Sequence, residues 1–261
     1  MSKFKYGMCL SDYQKNKEYM NLSRKRSQGK VPEPEHSKAT AKIINTLIKG
    51  NFSLLDVGSQ TGHFFRTFNR VFKTRIKYIG LDPYKIHTEI GNKIWKNFKN
   101  CSFKLGWVQK IPLKKKTVDI TLCSNVLTHI PNIGLPLKEM LRVSKKFIIL
   151  RTPVHYRSYR IQMVYNKKVW KYSNIKPENE FDKSGKPREY NYFDVHSKDY
   201  LLGQIKKFNK KASIKFIKDT FWDAKKINSK SEKKVAPTRV IAGNQVADLL
   251  IIPHYFVIIR L

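Results

Sequence analysis

Asp56, Gly58, Ser59, Gln60 and Gly62 sit where an apolar run, Ser53-Leu54-Leu55-Asp56-Val57, hands over to Phe64, Phe65, Phe68, Val71 and Phe72 at helical spacing. The run reads as a buried strand and the spaced residues as an amphipathic helix, so the glycines fall in a strand-to-helix turn. In an open α/β sheet, ligands bind beyond the carboxyl ends of the strands, at such a turn. Glycine lets the backbone come close to a ligand and take positive φ, and a helix start offers free N–H groups to a carboxylate. Gln60, between the glycines, reads as a turn residue.

Other candidates follow in order. Asp82 ends the run Tyr78-Ile79-Gly80-Leu81, twenty residues after Gly62. A carboxylate there can accept two neighbouring hydroxyls, or it can cap the next helix. Trp107, with Val108 after it, can stack on a planar ring or pack in the core. Asn125 can touch a ligand or form an Asx-turn. His129 and His155 can act as general bases near neutral pH, with a structural role as the alternative for His129. Arg151, Tyr156 and Arg157 suit an anionic ligand through guanidinium forks, or else form a solvated basic loop. Tyr190, Tyr192, Phe193 and His196 complete a lid or form the packing face of a hairpin.

Positioning these residues requires strands alternating with helices. A helix from Ser37, capped by it and ended by Gly50, is predicted first. Strands are predicted at 53–57, 77–81, 102–105, 118–123 and 146–150, with helices near 85–98 and 135–143 between them. This alternation implies βαβ crossovers and a parallel sheet covered on both faces. From Arg151 to about Ser197 the pattern breaks into a long irregular stretch, which in a compact domain is more often functional than idle. A helix at 198–208 follows, then strands at 214–222 and 255–259 that read as an antiparallel addition to the sheet edge. Residues 1–36 read as a partly ordered basic arm, and 37–261 as one domain with 151–197 as a substrate-side insert or lid.

Composition narrows the classes. The chain of 261 residues carries 53 Lys+Arg against 19 Asp+Glu, a net charge of +34. Such a field attracts polyanions. The basic residues are mostly lysines spread along the chain, which an AT-rich genome explains equally well. The three cysteines, Cys9, Cys101 and Cys123, have no C-x-x-C spacing, which argues against a disulfide framework or structural zinc and fits a reducing cytoplasm. No apolar stretch is long enough for a transmembrane segment, and the first residues lack a secretory signal. No metal site is expected.

The segment Leu54 to Phe64 resembles motif I of class I S-adenosylmethionine-dependent methyltransferases, (D/E)-x-G-x-G-x-G, with Asp56, Gly58 and Gly62 matching and Gln60 replacing the middle glycine. Gly106-Trp107-Val108-Gln109-Lys110-Ile111-Pro112 resembles the family's G-D-A-x-x-L-P block, with Trp107 in place of the acid. Cys123 to Ile130, with Leu137-Lys138-Glu139-Met140-Leu141-Arg142-Val143, resembles its NVLEHI…LxExxRVLK stretch. Together these run from about Leu54 to Pro153, and the nearest look is to the methyltransferase domain 11 type. The resemblance implies a Rossmann-like, seven-stranded, mostly parallel sheet with helices on both faces and an antiparallel last strand.

It also implies S-adenosylmethionine as cofactor, bound by Asp56, Gly58, Ser59, Gln60 and Gly62 at the methionine part and by Asp82 at the ribose. Trp107 and Val108 would lie at the adenine, with Asn125 near the cofactor or substrate. Methyl transfer from a sulfonium needs mainly alignment, because the donor carries its own leaving group. The acceptor is expected to be an oxygen or nitrogen of a small anionic or sugar-like metabolite, such as a cell-surface glycan precursor. RNA is the alternative partner, resting on the charge, on Arg24, Lys25 and Arg26, and on the lysines from Lys206 to Lys234. A non-catalytic scaffold of the same fold is the remaining alternative.

Overall fold

Runs buried on both faces build the centre of the molecule. The computed structural model describes residues 4–5, 8–9, 17–164, 181–188, 190–221, 225, 239–241, 244–247, 250–251 and 253–261. The main strands are β1 (Phe52–Val57), β2 (Ile76–Asp82), β3 (Cys101–Leu105), β4 (Val118–Ser124), β5 (Ser144–His155), β6 (Tyr159–Val164), β7 (Tyr190–Ser197), β8 (Ser213–Lys218) and β9 (His254–Arg260). Their spatial order is β8-β9-β5-β4-β1-β2-β3. β1 to β5 pair in parallel. β9 runs antiparallel to both of its neighbours, β5 and β8. The two strands thus form the expected antiparallel addition to the sheet, with β9 between β5 and the edge strand β8. Small antiparallel pieces at Phe4–Lys5 with Met8–Cys9, and at Arg239–Ile241, Asn244–Ala247 and Leu250–Ile251, form separate sheets, and Met8–Cys9 packs near β7.

The helices are α1 (Lys17–Ser27), α2 (Glu35–Leu47), α3 (His63–Phe72), α4 (Lys85–Ile94), α5 (Gly134–Val143) and α6 (Lys198–Phe208). One core holds Leu55, Val57 and Leu81 against Leu137 and Met140 of α5 and Leu201 and Ile205 of α6. The other holds Leu54, Ile120 and Phe256 against Ile44 of α2 and Phe64, Phe65 and Phe68 of α3. Neighbours along one strand thus serve opposite faces, as the two-residue period of a strand requires.

Several boundaries differ from expectation. Pro34, not Ser37, stands at the start of α2; Ser37 lies in the first turn, where its hydroxyl donates to the Pro34 carbonyl at 2.8 Å and bonds the Thr67 hydroxyl at 2.8 Å. The helix ends at Leu47, before Gly50, because Ile48 is already extended. β5 continues to His155, since Thr152 and Val154 are still buried. Where an irregular stretch was expected, β6 and β7 form an antiparallel hairpin, and β7 adds in parallel to the end of β5. Trp222 and most of the lysine-rich stretch from Lys225 to Lys234 lie outside the described residues. Part of the expected N-terminal arm is helix α1, which packs on α3 and α4.

Candidate active site

Parallel pairing sets the ends of β1 and β2 side by side, with Asp56 opposite Gly80 and Val57 opposite Leu81. The turn after β1 begins there. Gly58 and Ser59 donate their backbone N–H groups to the Leu81 carbonyl at 2.8 and 3.1 Å. Gly58 and Gly62 have φ of 74° and 85°, the left-handed region that favours glycine. A Cβ on Gly58 would stand 2.4 Å from Val126 Cγ2, and one on Gly62 would stand 2.4 Å from Phe103 Cζ. Gln60 also lies in this region, at φ 51°. The residue that replaces the family's middle glycine therefore keeps a glycine-like backbone.

Asp82 ties this turn to the next. Its Oδ2 accepts the Gln60 N–H at 2.9 Å, and its Oδ1 accepts the Tyr84 N–H at 3.0 Å and lies 3.1 Å from His87 Nδ1. α4 starts after Tyr84 without a side-chain cap, so Asp82 does not cap it. Asp56 is buried, and its Oδ2 accepts the Tyr78 hydroxyl at 2.5 Å. Burial pushes its carboxyl up to about 7; the Tyr78 hydrogen bond opposes the shift and the Asp82 charge adds to it.

The β3 side is braced from α5. Glu139 accepts the Ile111 N–H at 2.8 Å, while Arg142 donates to the carbonyls of Ile111 and Leu113 at 2.9 and 2.7 Å. The E-x-x-R pair thus fixes the loop that carries Trp107, Val108 and Gln109. Trp107 is half-buried and its carbonyl accepts the Lys110 N–H, while Val108 packs in the core. Gln109 is buried, with neither atom of its amide hydrogen-bonded.

Beyond β4, Asn125 takes φ 56° and donates its N–H to the Arg151 carbonyl at 2.8 Å. Its Oδ1 accepts from Arg151 Nη1 at 3.2 Å, which is not an Asx-turn. Arg151 is 2% exposed and pairs with Asp219 through Nε at 2.7 Å and Nη2 at 2.6 Å. The guanidinium expected on an acceptor loop is thus an internal ion pair that holds Asn125. Tyr156 and Arg157 are exposed and stack on each other, with 5.5 Å between guanidinium and ring. His155 lies four residues past Arg151 along β5, roughly 13 Å at strand rise, and its Nδ1 accepts the Arg157 N–H at 3.3 Å. The structure therefore separates Arg151 from His155, Tyr156 and Arg157.

His129 stands in a 3-10 turn, Leu127–His129, right after Asn125. Its Nδ1 lies 2.9 Å from the Tyr192 carbonyl, and its ring faces Phe193 at 6.2 Å. The hairpin strand β7 is thereby fastened to the end of β4. Arg160 of β6 pairs with Asp194 of β7 and lies over the Tyr192 ring, so these residues also serve the hairpin.

Two groups escaped the sequence reading. Ser23 and Ser27 of α1 each bond the Thr61 hydroxyl at 2.8 Å, and Ser27 also donates to the Thr61 carbonyl at 3.0 Å. Their spacing of four residues on a basic helix was the only available signal. The second group is histidine: the rings of His36 and His63 meet edge to face at 6.1 Å, and His254 starts β9 near Arg151, whose charge helps to hold His36 and His254 below the usual histidine range.

The open sheet, the glycine turn and the acid after β2 define the class I methyltransferase architecture. A model of the family described as "Methyltransferase domain" matches residues 48–245. The chain belongs to that methyltransferase family. A methyltransferase from Methanosarcina mazei is similar in structure, with 14% identity, coverage of 84% of this chain and 96% of that one, and a TM-score of 0.53. The N-terminal domain of EvdMO1, solved with SAH and D-fucose, gives 13% identity, 88% and 84% coverage, and a TM-score of 0.54. The [4+2]-cyclase SpnF gives 13%, 85% and 79%, with a TM-score of 0.53, so the fold by itself does not name a reaction. Comparison with curated proteins finds no match. Among the described residues no helix is long and apolar enough to cross a membrane, and no cluster of His, Cys, Asp and Glu is arranged to hold a metal ion.

Proposed function

We propose that the protein transfers the methyl group of S-adenosylmethionine to an oxygen or nitrogen of a small, anionic or sugar-like metabolite, in the cytoplasm. The observation that carries this reading is the enclosure of the carboxyl edge. α1 is bonded to Thr61 on one side, and β7 is bonded to His129 on the other. A covered edge suits a small acceptor better than a folded polymer.

In this reading residues 37–261 are the methyltransferase unit, 151–197 its acceptor-side lid and 1–36 a leading arm. The turn Asp56-Val57-Gly58-Ser59-Gln60-Thr61-Gly62 holds the methionine part, its two glycines letting Val126 and Phe103 pack close beneath the turn. Asp82 holds the ribose, Trp107 and Val108 border the adenine, and Asn125 is held by Arg151 to face the reacting end. The donor supplies an electrophilic methyl group with its own leaving group; the protein aligns the acceptor and excludes water. His129 is the candidate base: donating Nδ1–H to the Tyr192 carbonyl makes Nε2 its basic nitrogen. His155, Tyr156 and Arg157 take outer roles at the lid.

Calorimetric titration with S-adenosylhomocysteine, with NAD as control, tests the cofactor assignment. Micromolar binding of the first alone supports it, and binding of neither would turn the reading toward a scaffold. RNA remains the competing acceptor on the strength of the +34 charge; tight RNA binding with a steep salt dependence would replace the metabolite.

A further inference from the structure

We propose that His36, His63 and His254 form a binding site for a carboxylate or phosphate group of the methyl acceptor, beside the Arg151–Asp219 pair. The proposal rests on the small-acceptor reading above. The strand register places the residues. His254 lies opposite Pro153 and Phe256 opposite Arg151, so His254, Phe256 and Arg151 point to one face of the sheet. Phe256 belongs to the core that α2 and α3 cover, which fixes that face. His36 lies in the first turn of α2 and His63 opens α3, at the same carboxyl end of the sheet. Their rings meet edge to face at 6.1 Å.

Two of the imidazoles are incompletely satisfied. His63 is 8% exposed and His254 is 9%, and neither Nδ1 has a hydrogen-bond partner. A buried polar atom left unpaired costs about 1–3 kcal/mol, so a ligand that supplies the missing bonds is favoured. The charged neighbours select its sign. Burial first, and then the charges of Arg151, His63, Arg26 and His254, hold His36 well below the usual histidine range. His254 is lowered likewise by burial and Arg151, and His63 falls to about 3 through burial and Arg26. The charges of Arg151 and Arg26, the smaller causes, disfavour a further cation here. An entering anion relieves the repulsion and lets the imidazoles donate to it. Asp219, whose backbone N–H donates to the His254 carbonyl at 2.8 Å, is bonded through its carboxylate to Arg151.

The test titrates inorganic phosphate into protein saturated with S-adenosylhomocysteine, using wild type and the double variant His36→Phe/His254→Phe. Wild type is expected to bind phosphate, and the variant to lose about tenfold or more in affinity, as for one charge-assisted bond. S-adenosylhomocysteine affinity should stay within about twofold. If the double variant loses its fold, His36→Phe alone carries the same comparison. Equal phosphate binding by the variant, or none by cofactor-loaded wild type, overturns the proposal. Phosphate binding that S-adenosylhomocysteine abolishes also overturns it, because the cluster then holds the cofactor's own carboxylate. Failure of wild type to bind S-adenosylhomocysteine at all would instead sink the cofactor reading.

Discussion

At the ends of β1 and β2 the acids Asp56 and Asp82 are buried, whereas β5 and β9 bury the guanidinium of Arg151, paired with Asp219, and the imidazole of His254. Both sets lie on the carboxyl edge of one sheet, and burial acts on them in opposite senses. It raises the Asp56 carboxyl and lowers His254 and His63. The acid side suits a donor that carries a positive sulfonium, and the basic side suits a negative acceptor. A methyl transfer between two such partners would need this division of charge.

The basic side is broken most severely by Arg151→Met. This substitution leaves the buried Asp219 carboxylate without its guanidinium, which costs about 3–5 kcal/mol in a denaturant titration. Adding Asp219→Leu should recover most of the loss. A loss under about 1 kcal/mol would show that the pair is not the anchor of this side.

The acid side is tested by Asp56→Asn. The folded carboxyl titrates at about 7 against an ordinary 3.8, so the native state holds its proton longer than the unfolded chain. Stability from this group is full below the lower value and falls as pH rises through the window, by up to about 1.4 kcal/mol per pH unit. His63 works in reverse, because its folded value near 3 lies below the ordinary 6.5 and stability is lost as pH falls through that window. Asp56→Asn should therefore remove the loss on raising pH from about 4 to 7 and leave the His63 loss on lowering it. An unchanged profile between pH 5 and 8 would mean that Asp56 ionises freely.

Asp82→Ala should weaken S-adenosylhomocysteine about 100-fold, in keeping with the loss of a charged hydrogen-bond partner, while the fold survives. Unchanged affinity in folded protein would remove the ribose assignment. Smallest is Tyr156→Ala with Arg157→Ala. Exposed as they are, stability should change within about 0.5 kcal/mol, and cofactor affinity should not move. A clear loss of affinity would draw the lid into the acid side.

The acid side was legible in the sequence because it is local. One strand, one turn and one helix carry Asp56 to Phe72, and the register to Asp82 follows from a single βαβ crossover. The basic side was not legible, because it is assembled from residues far apart in the chain. No spacing rule links His36, His63 and His254, and Arg151 looked like a loop residue because nothing near it in sequence reveals its distant partner Asp219. For Tyr190, Tyr192, Phe193 and His196 the sequence left a lid and a hairpin's packing face open, and only the pairing of β7 with β6 and with the end of β5 decides between them.

The docking of α1 on Thr61 has a practical consequence. The matched family region begins at residue 48, yet the hydroxyls of Ser23 and Ser27 close over the very turn that defines that family. Whatever steadies the turn must steady the helix, since the two share their bonds. The basic triplet Arg24-Lys25-Arg26 at the end of α1 is a trypsin target built into this latch. Its rate of cutting thus becomes a gauge of occupancy at the turn, readable on a gel without any knowledge of the methyl acceptor.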